Sequence, residues 1–407
     1  MRLGSNSNND LLPLKMTTRS LNIVLLCSLL VVCVSCTTFY VSPNGNDNNS
    51  GTSTSTPFKT IQKGVTEAGN NPLVLMSGEY SGSGNSGINV FWNLTISAEP
   101  GVSVSCAGTY NQHVFYVNWN SIRNSYSGFT IQGCKYGIFN YQSSSLPRYT
   151  TIQNMHFDNV ETGILLQNTI VDVSDSKFTN LKNGIASFGF WNGVSLENSV
   201  FENNTNNAIF LESCLGVSNI TNTLFVGGGN SAIESNTCQL SVSHSIFAFN
   251  KASSGSSILA NGSSIVFVEN STFVSNGAYN GGAISVQEGA FLTINNSVFA
   301  NNTGHYGGVF NNNGNVNVFN SAFYSNNASF GGVFYCIEAE MLLDNVLFSN
   351  NVGEFGTTSY CTECLIFESN VKVIGGSGPI PPTSSCVVFE IPTSDLFSHP
   401  NCINCPK

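Results

Sequence analysis

The sequence of 407 residues predicts a parallel β-helix, and two residue series that repeat with one period are the main evidence. The first series consists of phenylalanines spaced 21 to 26 residues apart, namely Phe157, Phe178, Phe201, Phe225, Phe247, Phe273, Phe299, Phe323 and Phe348. The second consists of small residues, each followed by a mostly aliphatic one: Gly137, Gly163, Gly184, Ala208, Ala232, Ser257, Gly282, Gly308, Gly332 and Thr357. Two independent series at one period are typical of a repeat architecture.

The residues within each repeat predict strands rather than helices. Segments such as LTINNSVFANN alternate apolar and polar residues, and clusters of Asn and Gly separate them. A leucine-rich repeat of similar length would show a Leu-x-x-Leu-x-Leu frame, which is absent. Coils of about 24 residues with three short strands fit a parallel β-helix, whose coils stack about 4.8 Å apart. We therefore expect the phenylalanines to form one interior aromatic column.

Two further series are built mainly from asparagine. One stands three residues before each Phe, where turns are expected and a stacked Asn can satisfy backbone groups and adopt the left-handed conformation. Its members are Asn154, Asp175, Asn198, Asn222, His244, Asn270, Asn296, Asn320 and Asn345. We interpret Asp175 and His244 as tolerated substitutions and expect His244 to point inward. The other series stands three residues after Phe: Asn204, Asn250, Asn276, Asn302, Asn326 and Asn351.

The amino terminus predicts secretion. Residues 21–34 are almost wholly apolar, Arg19 precedes them and small residues follow, which is typical of a secretory signal peptide. We assign residues 1–36 to this signal, with Met16 as an alternative start, and an uncleaved signal anchor is the alternative. The run is shorter than the roughly 20 residues that a membrane span needs. We therefore expect an extracellular mature chain without a membrane span.

Composition excludes one class of partner. Charged residues make up 9% of the chain, and the formal net charge is -10 with only 13 Lys and Arg. Nucleic-acid binding needs a basic face that displaces counterions, so no nucleic-acid partner is expected.

Cysteine positions predict disulfides. Of 13 Cys, three lie in the signal region, and the remaining ten form an even number in an oxidising compartment. Cys214 and Cys238 stand at equivalent positions of adjacent coils, as do Cys336 and Cys361, so we predict these two pairs. Cys106 and Cys134 form a third predicted pair. A zinc site at the two CxxC segments is the less favoured alternative. The pairing of the other cysteines is left open: Cys364, Cys386, Cys402 and Cys405.

The sequence also contains nine Asn-x-Ser/Thr sequons. N-glycosylation is expected at some of them, because the chain is predicted to be secreted. The acceptor residues are Asn48, Asn93, Asn203, Asn219, Asn261, Asn270, Asn295, Asn301 and Asn327.

Two stretches resemble known families. The segment FYVSPNGNDNNSGTSTSTPFKTIQKGV, followed by LVLMSGEYSG, resembles the beginning of right-handed parallel β-helix proteins of the pectin-lyase-like superfamily. This resemblance implies a strand and a short capping helix, Phe58 to Ala68, within residues 37–87. A β-helix would then span 88–374, with a Cys- and Pro-containing cap or tail at 375–407. The FxxN and GGAI repeats resemble those of polymorphic outer-membrane proteins, a family of β-helical adhesins.

Residues for catalysis are sparse. The pectin-lyase-like superfamily includes lyases that use Ca²⁺ and a base, and inverting hydrolases that use paired carboxylates. The sequence motifs of the pectate lyases and polygalacturonases are absent. The charge-dense stretch is 148–182, in which an enzyme would use His156, Asp158, Asp172, Asp175 and Lys177.

We therefore favour a secreted, non-enzymatic β-helix glycoprotein that acts in adhesion, glycan or surface binding, or the extracellular matrix. Its partners would be extracellular glycans or surface proteins, and no cofactor is expected. The alternative is a polysaccharide lyase or glycoside hydrolase that acts on polyuronides on the same fold, with Ca²⁺ only in the lyase case.

Overall fold

The structure is a computed structural model that describes residues 37–106, 113–117, 120–140, 147–375 and 387–390. The predicted signal peptide at 1–36 lies outside the described residues. So does most of the predicted carboxyl-terminal cap, including Cys386, Cys402 and Cys405.

The described chain is a right-handed parallel β-helix of about a dozen coils, as the repeat period predicts. Every strand pair in it is parallel, and neighbouring strands belong to successive coils. Sheet 1 has 15 strands: Phe39–Val41, Pro72–Leu75, Leu94–Ala98, Arg123–Ser127, Arg148–Gln153, Thr169–Ser174, Gly193–Glu197, Val217–Thr221, Gln239–Ser243, Ile265–Glu269, Phe291–Asn295, Asn315–Phe319, Glu340–Asp344, Leu365–Ser369 and Val387–Glu390.

Three more sheets complete the coils. Sheet 2 has 12 strands: Ile88–Val90, His113–Val117, Tyr136–Asn140, Thr162–Gln167, Asn183–Phe188, Ile209–Glu212, Ile233–Asn236, Ile258–Asn261, Ile284–Val286, Phe310–Asn312, Phe334–Ile337 and Ser359–Thr362. Sheet 3 has 13 strands: Glu79–Tyr80, Ser103–Ser105, Thr130–Gln132, His156–Asp158, Lys177–Thr179, Val200–Glu202, Leu224–Val226, Ile246–Ala248, Thr272–Val274, Val298–Ala300, Ala322–Tyr324, Leu347–Ser349 and Lys372–Ile374. Sheet 4 has five strands: Lys251–Ser254, Gly277–Asn280, Thr303–Tyr306, Asn327–Phe330 and Val352–Phe355.

An α-helix, Ile61–Ala68, packs on the first coil. It begins three residues later than predicted, because Thr60 is its N-cap and accepts a hydrogen bond from the Lys63 amide. The Asp47 carboxylate accepts hydrogen bonds from the amide and hydroxyl of Thr60 and so fixes the start of the helix. Within the described residues, no helix is long and apolar enough to cross a membrane.

The phenylalanine series forms the predicted interior column. All nine rings are at most 1% exposed, and consecutive rings lie 4.5 to 5.2 Å apart between centroids with nearly parallel planes. The small-residue series lies beside this column. A Cβ added at Gly184 would lie 2.6 Å from the Phe201 ring and 2.4 Å from the Ala208 carbonyl oxygen. Small side chains are therefore required there because the ring and the next coil fill the space.

The two asparagine series have different roles. The first occupies turns in the left-handed conformation, and most of its side chains are exposed. His244 has a φ of 49° and is exposed, so the expectation that it points inward is wrong. The position requires a left-handed backbone rather than a buried amide, and an imidazole can remain in solvent there.

The second asparagine series is the buried one. In the later coils each amide donates to the carbonyl of a column phenylalanine and to the Oδ1 atom of the next asparagine. Asn302 Nδ2, for example, lies 3.0 Å from Phe273 O and 3.0 Å from Asn326 Oδ1. This series therefore satisfies the backbone groups of the buried turn after sheet 3.

Three disulfides join adjacent coils: Cys106–Cys134, Cys214–Cys238 and Cys336–Cys364. The predicted pairing of Cys336 with Cys361 is wrong. Cys336 and Cys361 are register partners inside strands of sheet 2, so their side chains point in the same inward direction. Cys364 lies after the strand, at a Cα distance of 6.3 Å from Cys336, and its position outside the strand lets its side chain turn toward Cys336.

Peptide mapping of the non-reduced protein tests this pairing. Cleavage after Glu363 separates Cys361 from Cys364, and we expect the Cys336 peptide to be linked to the Cys364 peptide. The variant Cys361→Ser should keep that linkage, whereas Cys364→Ser should lose it. A Cys336–Cys361 link in the wild-type protein would contradict the observed pairing.

The predicted glycosylation sites differ in exposure. Six acceptor residues are exposed, whereas Asn261, Asn270 and Asn295 are half-buried. The exposed ones are Asn48, Asn93, Asn203, Asn219, Asn301 and Asn327. Glycosylation at these six stays a prediction.

Candidate functional site

Part of the predicted charged patch lies on sheet 3. His156 and Asp158 share one strand, and Lys177 is the register neighbour of His156 in the next coil. The Thr179 hydroxyl donates to Asp158 Oδ1 at 2.8 Å and lies 2.8 Å from His156 Nε2. The Thr179 hydroxyl has one proton, which it donates to Asp158. It can therefore only accept a hydrogen bond from His156, so the proton of the neutral imidazole is on Nε2.

The pKa values in this cluster favour a neutral histidine and an ionised aspartate. Burial lowers the pKa of His156, Lys177 lowers it further, and Asp158 opposes the shift. Burial raises the pKa of Asp158, but hydrogen bonds from Thr179 and Asn180 and nearby positive charge outweigh it, so the pKa lies below its ordinary value. Asp158 is therefore an acceptor at neutral pH and holds no proton for an acid-catalysed step.

The remaining residues of the patch lie elsewhere. Asp172 is exposed on sheet 1, and Asp175 lies in the left-handed turn between sheets 1 and 3. Lys177 forms an ion pair with Glu202 at 3.2 Å, with both side chains nearly half exposed, and such pairs contribute about 0–1 kcal/mol. A cavity of about 370 Å³ next to His156 is otherwise lined by uncharged residues. The structure thus divides the predicted patch between two sheets and a turn.

A second candidate is a groove of about 500 Å³ on the outer face of sheet 2, walled by sheet 4. Five amide side chains and two tyrosines dominate its lining, and the residues that line it carry no charge. They are Ser254, Leu259, Asn261, Asn280, Gln287, Tyr306, Asn311, Asn313, Tyr335 and Ile337. We call this feature the amide groove. Sequence reasoning missed it, because its residues come from five coils and each is common in this Asn-rich chain.

The wall of the amide groove depends on the Gly-Gly pairs of the later repeats. Gly307 has a φ of 73°, and a Cβ there would lie 1.7 Å from the Phe310 carbonyl oxygen. The glycines therefore allow a sharp corner between sheet 4 and sheet 2. This corner places the Tyr306 ring 4.8 Å from the Tyr335 ring. The GGAI-type motif thus has a structural role in bringing two tyrosines together.

Aromatic rings extend this wall along the last coils. Tyr306 stacks on Phe330 at 5.3 Å, and Phe330 stacks on Phe355 at 4.9 Å. Tyr335 stacks on Tyr360 at 5.4 Å with an angle of 8° between the ring planes. Two aromatic rows therefore line the junction of sheets 2 and 4, with partly exposed faces and hydroxyl groups.

Two polar side chains of the amide groove have atoms without a hydrogen-bond partner among the described residues. Asn311 lines the groove at 8% exposure, and the described residues offer its side-chain amide no hydrogen bond. Asn313 Oδ1 is buried and also has no partner there. Buried amides are normally hydrogen-bonded, so these groups are available to a polar ligand.

Two carboxylates lie on sheet 2 beyond one end of the amide groove, Glu234 on the adjoining strand and Glu212 on the strand after it. Glu234 is the register neighbour of Leu259, and its two oxygens accept from Asn207 Nδ2 at 3.1 Å and from Asn261 Nδ2 at 3.4 Å. Burial raises the pKa of Glu234, and the nearby Glu212 raises it further. The hydrogen bond from Asn207 lowers this pKa but does not cancel the increase. Glu212 lies on the neighbouring strand, two residues beyond the register partner of Glu234, and its side chain is on the same outer face of sheet 2. The aliphatic residues that follow the small-residue series point inward, here Ile209 and Ile233. Since side chains alternate along a strand, the sequence could have shown that Glu212 and Glu234 point outward.

Beyond the carboxylates the outer face of sheet 2 becomes apolar. A second groove of about 390 Å³ is lined mainly by Phe139, Leu165 and Phe188, and Phe188 contacts Phe210 at 5.3 Å between ring centroids.

Within the described residues, no group of three or more His, Cys, Asp or Glu side chains could hold a metal ion.

No family model and no curated protein matches the chain. Solved structures do. The catalytic unit of a thermostable GH87 α-1,3-glucanase from Streptomyces thermodiastaticus strain HF3-3 has a TM-score of 0.55 at 14% identity, over 80% of this chain and 66% of that one. The chain thus spans slightly less than two thirds of that catalytic unit.

Two other solved structures have lower TM-scores. Pectate lyase Pel9A has a TM-score of 0.43 at 17% identity, over 64% of this chain and 75% of that one. The Streptococcus pneumoniae surface protein and adhesin PfbA has a TM-score of 0.46 at 13% identity, over 82% and 95%. At these identities the likeness shows the fold alone, the fold that the resemblance to the pectin-lyase-like superfamily implies.

Proposed function

We propose that the protein is a secreted carbohydrate-active protein that binds a neutral glycan in the amide groove. The observation that carries this proposal is the combination of tyrosines with unpartnered amides, including Asn311, in an uncharged groove. Tyrosine offers an apolar face for the C–H surface of a sugar ring, and amides donate and accept hydrogen bonds with its hydroxyls. The three disulfides support an extracellular site of action.

The charge of the amide groove bears on the ligand class. A polyuronide carries one carboxylate on each sugar and is bound best by Arg or Lys, and the groove lining contains neither. The ligand class is therefore a neutral glycan, and the polyuronide substrate of the enzymatic alternative is not favoured.

The comparisons support the enzymatic alternative better than a purely adhesive role. Of the three solved structures described above, the catalytic unit of an α-1,3-glucanase has a TM-score above 0.5. The two carboxylates beside the amide groove are also consistent with a carbohydrate-active enzyme. Binding in the groove is common to both hypotheses, so it is tested first.

Affinity electrophoresis in soluble neutral polysaccharides, with a pull-down on insoluble α-1,3-glucan, tests the proposal. We expect retention by at least one neutral glycan and none by polygalacturonate at 0.15 M salt. Tyr335→Ala should weaken the retention about tenfold, the equivalent of 1.4 kcal/mol.

The matched control is Tyr324→Ala, which removes a tyrosine that is 39% exposed on sheet 3, away from the groove. It should leave the retention unchanged. Retention by polygalacturonate alone, or equal loss in both variants, would contradict the proposed function.

A further inference from the structure

We infer that the surface of sheet 2 at the Glu234 end of the amide groove is a hydrolytic site, in which Glu234 is the general acid and Glu212 the general base for cleavage of a glycosidic bond. This inference rests on the proposed function, because the glycan must lie in the groove for its bond to reach the carboxylates. The two residues stand 22 positions apart in the chain and lie on successive coils.

The register places the two carboxylates on one face. Glu234 is paired with Phe210 and Glu212 with Asn236, so the glutamates are diagonal neighbours on adjacent strands of sheet 2. A strand spacing of about 4.8 Å and a rise of about 3.3 Å per residue put their Cα atoms roughly 8 Å apart. Paired carboxylates on either side of a glycosidic bond are the usual requirement for its hydrolysis.

Glu234 is fixed in position and only partly accessible. Asn207 and Asn261 each bond one of its oxygens, and Asn261 also lines the amide groove. This half-buried setting favours the protonated carboxyl, as a general acid requires. The Glu212 side chain accepts no hydrogen bond among the described residues and is only partly buried, so its oxygens can be reached by a water molecule.

A ligand position in the amide groove, three strands from Glu234, is indicated independently. Asn311 is nine-tenths buried, faces the amide groove and has no partner for its side-chain amide among the described residues. It stands three strands from Glu234 along one outward column of sheet 2, through Leu259 and Ser285. A glycan that forms a hydrogen bond with the side-chain amide of Asn311 and lies along this column would reach Glu234 after about 14 Å.

The reaction balances with water as the second substrate. Glu234 gives its proton to the glycosidic oxygen as the bond from that oxygen to the anomeric carbon breaks. A water molecule forms the new bond to the anomeric carbon, and Glu212 takes the proton that this water releases. After the two products leave, proton exchange with solvent returns Glu234 to the acid and Glu212 to the carboxylate.

The test uses the full-length protein and the neutral glycan that it retains in the binding assay, with new reducing ends measured over a long incubation. We expect the wild-type protein to cleave that glycan. Glu234→Gln and Glu212→Gln should each lower the rate at least about 100-fold while retention is unchanged. Glu197→Gln, which replaces an exposed glutamate on sheet 1, is the matched control and should cleave like the wild type.

A leaving-group comparison separates acid catalysis from a structural role. With a 2,4-dinitrophenyl glycoside of the same sugar, the leaving oxygen needs no proton, so Glu234→Gln should cleave it at nearly the wild-type rate. Glu212→Gln should remain slow. Retention of a glycan that the wild-type protein does not cleave, or undiminished cleavage by either glutamine variant, would overturn the inference and leave the proposed function intact. If no neutral glycan is retained, the proposed function itself fails.

Discussion

Phe299→Ala is expected to lower the free energy of unfolding by about 3–5 kcal/mol. Phe299 is fully buried, and its ring lies 4.5 Å from Phe273 and 5.0 Å from Phe323 between centroids. Removing the ring leaves a cavity in the middle of a column whose backbone is fixed by parallel strands on both sides. Because those strands resist collapse, the full cost of the cavity should be observed.

Guanidinium unfolding followed by far-ultraviolet circular dichroism measures this change. Phe190→Ala is the matched control, because Phe190 is 66% exposed and its truncation should change the free energy of unfolding by less than about 0.5 kcal/mol. A loss below about 1 kcal/mol for Phe299→Ala would contradict the continuous column.

Asn302→Ala should have a comparable effect for a different reason. Its amide donates to Phe273 O and Asn326 Oδ1, and its Oδ1 accepts from the amide nitrogen and the Nδ2 atom of Asn276, all at 3.0 Å. The alanine leaves several of these buried groups without a partner. Each such group costs about 1–3 kcal/mol, so the free energy of unfolding should fall by about 3–5 kcal/mol.

The same unfolding experiment tests this value. Gln239→Ala removes an exposed polar side chain from sheet 1 and should be nearly neutral. If Asn302→Ala were also nearly neutral, the buried asparagine series would not be a source of stability.

The fold could be predicted because its period is visible in single residues. A ring that stacks on the ring of the next coil must recur at the coil length, so Phe157 and its successors fix the period. The predicted pairing of Cys336 failed because equal position within two strands makes the side chains parallel, whereas Cys364, just after the strand, can turn toward Cys336. The roles of the two asparagine series were hard to distinguish from the sequence, because Asn suits both a left-handed turn and a buried position where its side-chain amide forms hydrogen bonds.

The candidate site was harder to predict than the fold. Charges that are close in sequence, such as Asp172 and His156, separate because each coil distributes neighbouring segments over different sheets. Residues that are a coil apart, such as Glu212 and Glu234, come together instead. The chain is rich in Asn, so the amides of the groove do not stand out in the sequence. They come to share one surface because the chain turns sharply at the Gly-Gly pairs, which only the structure reveals.

The most direct test of the central claim is a crystal structure of the protein with the oligosaccharide that it retains. The account predicts sugar rings along sheet 2, against Tyr306 and Tyr335, with hydrogen bonds to the amide of Asn311. An oligosaccharide bound instead on sheet 1, or at the His156 cluster of sheet 3, would contradict it.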